Sequence, residues 1–76
     1  MNKQRRKEIE AVAERVRELV ADLGNLLCEE QDALEGLPES LQDGERGQTM
    51  QEAIDNLEYA EGAAGELIDY LESAQA

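Results

Sequence analysis

One interruption governs how this chain can fold. Two stretches of three-and-four apolar spacing are separated by a single break at Gly36-Leu37-Pro38. Upstream, apolar residues fall at 9, 12, 16, 19, 20, 23, 26, 27, 34 and 37, the repeat of one helix face held for more than four turns. Gly24 lies inside this pattern at a cost of about 1 kcal/mol relative to Ala; the surrounding periodicity carries the helix through it. The spacing predicts a helix over residues 4–35, about 48 Å long at 1.5 Å per residue, with Gly36 and Pro38 as its stop. Downstream, Met50, Ile54, Leu57, Ala64, Ile68 and Leu71, joined by Ala53, Ala60 and Leu67, predict a second amphipathic helix over 44–73. The connector is then 36–43, with Pro38 at the first position of a short helical turn and Leu41 folded back as its apolar anchor. Either Asp43 caps the second helix, or Thr49 does with Glu52 completing a capping box. The expected fold is all-α: one domain over residues 1–76, a long antiparallel helical hairpin.

Composition agrees and removes alternatives. The 76 residues are 41% hydrophobic, too apolar for a disordered acidic tail, and only Tyr59 and Tyr70 are aromatic, too few for a strand-built core. No run approaches the roughly 20 apolar residues of a membrane span. The basic start is followed by Glu8-Ile9-Glu10 where a signal peptide would have an apolar core. Cys28 is alone, so it staples nothing and fits a reducing cytoplasm; Glu29 and Glu30 beside it disfavour a thiolate. A two-helix chain has a single seam, while each helix carries an apolar stripe wider than that seam covers. With neither disulfide nor metal to staple so small a chain, a homo-oligomer is expected, most simply a four-helix-bundle dimer. Glu30 and Glu61 interrupt the stripes; they are read as lying at seam edges and reaching water, ahead of an ion pair with an arginine across a subunit contact.

The net charge of −12 is unevenly spread. Residues 1–17 hold six of the seven basic residues against three acids, +3, while residues 18–76 hold sixteen acids and Arg46 alone, −15. Lys3, Arg5, Arg6 and Lys7 crowd a helix N-terminus, where the macrodipole favours anions and free backbone N–H groups face outward. They either pair with the acidic end of the second helix (Glu66, Asp69, Glu72) or hold an anion. Arg46, between glycines at a helix start, points to a phosphate. Tyr59 and Tyr70, eleven residues apart on nearly one face with Ala63 between them, form either a surface packing face or a shelf for a planar base. Gly62 and Gly65 weaken a helix by about 1 kcal/mol each, which suggests close approach of a neighbouring helix or room for a ligand. The candidate ligand-binding residues are therefore Arg5, Arg6, Arg46, Tyr59 and Tyr70. Antiparallel association of two hairpins would bring Arg46 of one beside Arg5 or Arg6 and Tyr70 of the other. Catalysis is not expected: histidine is absent, there is no phosphate loop, no CxxC and no Ser- or Cys-based constellation, and Ile54 stands where an EF-hand needs its closing glutamate. No cofactor and no metal are expected.

The start Met1-Asn2-Lys3-Gln4-Arg5-Arg6-Lys7-Glu8-Ile9, the segment Leu37-Pro38-Glu39-Ser40-Leu41-Gln42, then Glu45-Arg46-Gly47 and Met50-Gln51-Glu52-Ala53-Ile54, resemble short, mostly uncharacterised proteins of Firmicutes phages and prophages. The resemblance implies a phage accessory protein acting in the host cytoplasm, of the kind that antagonises antiviral defence. Two routes match the residues. In the first, a helical oligomer sequesters a nucleotide-derived signal of cyclic ADP-ribose or cyclic-dinucleotide type, arginines taking phosphates and a tyrosine the base. In the second, the acidic body imitates DNA or otherwise occupies a basic groove of a host defence protein. A structural or regulatory helical module without ligand is the third. The first is preferred because mimicry explains neither the basic head nor the isolated Arg46. Direct binding to nucleic acid and to membranes is not expected.

Overall fold

The computed structural model describes residues 2–76. It is all-helical among those residues: α1 spans Lys3–Glu35, a one-turn α2 spans Glu39–Gln42, and α3 spans Glu45–Ser73. α1 and α3 lie side by side in opposite directions, linked at one end by Arg17–Glu72 and by Gln75–Glu10. Asn2 starts α1, its side chain accepting from the Arg5 N–H at 2.7 Å.

The seam obeys a heptad more strictly than the apolar residues alone reveal. On α1 its a and d positions run Ile9, Ala13, Val16, Val20, Leu23, Leu27, Glu30, Leu34; on α3 they run Gly47, Met50, Ile54, Leu57, Glu61, Ala64, Ile68, Leu71, with Gln75 continuing the register just past its end. Every one of these is buried or half-buried. Steps of three and four in alternation keep each helix facing the other at a shallow crossing angle. Ala13 (0% exposed), Val16 (8%) and Ile54 (3%) are the buried hydrophobic residues. The ten apolar positions assigned to the first helix thus separate: 9, 16, 20, 23, 27 and 34 enter the seam, Val12, Leu19 and Leu26 stand outside it, and Leu37 lies beyond α1, half-buried in the bend.

The bend departs from expectation in four details. Gly36 ends α1 with φ −76°, in the right-handed region, so its conformational freedom is not the stop; Pro38, which disfavours helix in the residue before it, is. Pro38 itself is the residue before α2, not its first residue, and its carbonyl accepts from Leu41 and Gln42 N–H. Leu41 is not an anchor, being 45% exposed. The Gln42 side chain holds the turn instead, its Nε2 donating to the Leu37 carbonyl at 2.8 Å. Gly44 precedes α3 with no side-chain cap, so neither Asp43 nor a Thr49–Glu52 box serves; the Thr49 hydroxyl donates back to the Glu45 carbonyl.

Two of the helix-interior glycines differ sharply from a third. A Cβ at Gly62 or Gly65 would meet nothing within 4 Å, so within the hairpin no helix approaches them closely. Gly62→Ala and Gly65→Ala are each expected to stabilise the protein by about 0.5–1 kcal/mol, read as a higher urea midpoint with unchanged slope. A Cβ at Gly47, by contrast, would fall 2.8 Å from Gln42 Cα and closer still to its carbonyl group. Gly24 faces Glu61, whose carboxylate lies 3.4 Å from where a Gly24 Cβ would be.

Candidate functional site

The hairpin is long and thin, its Cα extents 59 × 14 × 11 Å. Glu10 contacts Gln75 and Gly24 faces Glu61, residue numbers that add to 85 in both pairs, so a residue of α1 lies level with the α3 residue completing that sum. By this register Arg46 sits at the bend, Tyr59 near Leu26, and Tyr70 near Arg15. Arg5 and Arg6 lie past the end of α3, on an overhanging first turn. The five candidate residues are therefore not gathered within one hairpin: Arg5 and Arg6 are at one end and Arg46 is at the other.

All five are exposed, the tyrosines by 76% and 74%. Every ion pair among the described residues runs through Arg17, which reaches Glu10 (2.8 Å), Glu14 (2.9 Å) and Glu72 (2.9 Å). The basic head contributes nothing to this network: Lys3, Arg5, Arg6 and Lys7 make no ion pair, and neither does Arg46. Only Glu72 of the acidic α3 end is paired, and its partner is Arg17. Glu30 and Glu61 lie half-buried in the seam register without an ion pair, and no buried side-chain polar atom among the described residues lacks a partner.

Arg17 and the Gln75 amide both donate to Glu10, holding its carboxyl below the ordinary glutamate pKa. The same carboxylates raise the Arg17 pKa further. A carboxyl depressed in the folded state adds stability above its unfolded pKa and loses it as pH falls through the folded value. Arg17→Gln should therefore raise the Glu10 pKa toward the ordinary value in a carboxyl-carbon NMR titration. An unchanged Glu10 curve would show that the network does not persist in solution.

Two shallow, adjoining hollows lie near the bend. The larger, about 380 Å³, is lined by Leu34, Gln42, Asp43, Gly47, Gln48 and Gln51; the smaller, about 230 Å³, lies between Gln31, Glu35, Ile54 and Glu58. None of the five candidate residues lines either one. Amides and carboxylates dominate their walls, a chemistry unsuited to phosphate. The glutamines gave no sequence signal of their own; only the seam register shows that Gln31 and Gln51 flank Leu34 and Ile54. No cluster of potential metal-ligating side chains occurs among the described residues, and no helix there is long and apolar enough to cross a membrane.

Compared with protein-family models, with curated proteins and with solved structures, the chain matches none.

Proposed function

We propose that this chain is a non-enzymatic, phage-type accessory protein that antagonises host antiviral defence by sequestering a nucleotide-derived signal between copies of itself. One observation carries the reading. In a chain of net charge −12, Arg5, Arg6 and Arg46 stand exposed without a carboxylate partner, although nineteen acids are available. Guanidinium groups left unpaired amid such an excess of acid are free to take phosphates in bidentate geometry. Tyr59 and Tyr70 offer faces on which a base stacks. Since the two ends of one hairpin stand far apart, the ligand bridges two hairpins.

Native mass spectrometry of protein purified from signal-producing cells tests this directly. The expected species is an oligomer carrying extra mass that matches a cyclic nucleotide and leaves on denaturation. In Arg46→Gln, the assembly persists and the added mass falls at least tenfold in occupancy. Bare oligomers from every source, or an Arg46→Gln protein that retains its cargo, would sink the reading. A second reading has its own support: the twelve acids of residues 18–59 make no ion pair among the described residues, an array resembling phosphates. Steeply salt-dependent binding to a basic host protein, with no small-molecule cargo, is its signature.

A further inference from the structure

Heptad register divides the hairpin into two unlike flanks. In an antiparallel pair the e positions of both helices share one flank and the g positions the other. The e flank holds Glu10, Arg17, Gln31, Gln51, Glu58 and Glu72, and the Arg17–Glu72 bridge closes it. The g flank holds Val12, Leu19 and Leu26 on α1, level with the α3 C-cap Ala74 and with Leu67 and Ala60 on α3. Here Val12 is 37% exposed, Leu19 57%, Leu26 50% and Leu67 47%. Apolar a, d and g positions together are the pattern of a helix that packs inside a bundle; a lone two-stranded seam needs only a and d.

We propose that a second copy of this chain docks on the g flank, antiparallel to the first, giving a four-helix bundle. Three observations select that occupant. The surface area is 5602 Å², roughly 1,000 Å² more than a compact monomer of this mass exposes. A face of 59 by 14 Å offers on the order of 800 Å² per copy, what a standard interface buries on each side. The charge distribution then sets the direction. The bend half, residues 18–59, carries twelve acids and one arginine, whereas the head half carries seven acids and six bases. Head-to-head packing would set two bend halves of −11 side by side; antiparallel packing sets each against a half of −1. The rim of this flank on α1, Glu8, Arg15, Asp22 and Glu29, is net acidic and also argues against an anionic lipid surface as the occupant.

A two-fold axis midway between Leu19 and Leu26 sets the layer with two leucines, Leu19 and Leu67, against the partner's layer with one leucine and one alanine. Large meets small, as interdigitating layers require. The same axis carries the overhanging head of each copy alongside its partner's acidic bend. Arg5 and Arg46 also occupy g positions, at opposite ends of the apolar stripe. In the antiparallel pair, Arg5 of one copy comes level, within about one helical residue rise of 1.5 Å, with Arg46 of the other. That supplies the bridging site of the proposed function, yet the assembly rests on the apolar flank and stands or falls without any ligand.

The test is solution mass by analytical ultracentrifugation on the full chain, without added nucleotide. The expected mass is twice 8.4 kDa. Leu19→Glu with Leu67→Glu is expected to give one chain, and Leu19→Ala with Leu67→Ala to weaken association about tenfold per leucine. Gln31→Glu, on the opposite flank, leaves the dimer intact. If the flank variants also lose helicity, the wild-type thermal midpoint decides: it rises with protein concentration for a two-copy unit and stays fixed for a monomer. For direction, Lys7→Cys in a Cys28→Ser background is spin-labelled. Antiparallel packing places the two labels about 45 Å apart, parallel packing within about 20 Å. A monomeric wild type, assembly indifferent to the leucine changes, or a short label distance overturns the proposal. A dimer that binds no nucleotide leaves it standing while removing the proposed function.

Discussion

Gly47→Ala is expected to destabilise the protein by about 2–4 kcal/mol, although the same exchange inside a free helix stabilises by close to 1 kcal/mol. The reversal comes from one close approach. Gly47 is buried in the first turn of α3, and the Gln42 backbone lies against the space its side chain would fill. Backbone atoms cannot rotate away as a side-chain end can, so the turn between α2 and α3 must open to admit a methyl group. Opening it withdraws Gln42 from the Leu37 carbonyl and shifts α3 along the seam. Urea unfolding followed by helical circular dichroism measures the loss, with Gly62→Ala as the opposing control. A Gly47→Ala protein as stable as the wild type would mean that the bend is wider than described.

Ile54→Ala is the second large effect, a loss of about 2–4 kcal/mol. Ile54 is 3% exposed and, with Ala13 and Val16, is one of three buried hydrophobic residues among those described. A chain this short has about 4–11 kcal/mol of total stability, so this single truncation removes a large part of it. Leu26, an isomeric side chain of similar size but 50% exposed, should lose under about 1 kcal/mol on the same change while the protein is held monomeric. Equal losses at the two positions would contradict the assignment of Ile54 to the seam and Leu26 to the outer flank.

How much was legible from the sequence differs between elements. The long helices follow from unbroken three-and-four spacing, because periodicity of that length has no competing strand solution. The bend was placed correctly through Pro38, whose ring acts locally on the residue before it. Its interior is not legible there: hydrophobicity makes Leu41 the anchor, whereas Leu41 is exposed and the Gln42 amide satisfies carbonyls that the broken helix leaves open. The same local reading gave Asp43 or Thr49 the cap, although Gly44 holds that position bare. Gly47 is legible only as a neighbour of Arg46, since a steric demand from another segment leaves no trace in composition. For the candidate ligand residues, exposure is readable from their place off the apolar stripe, and the hairpin itself puts Arg5 and Arg6 at one end and Arg46 at the other of a body 59 Å long.

By itself, then, the sequence determined two amphipathic helices, one bend and a basic head on an acidic body. Each is a local property, set by side-chain periodicity, by proline or by the order of charges. Only the tertiary structure decided which apolar residues share the seam and which are left outside, because that depends on the register between helices. The same register kept Arg17 as the one paired cation among the described residues, left Arg5, Arg6 and Arg46 unpaired, and drew Val12, Leu19, Leu26 and Leu67 to a single flank.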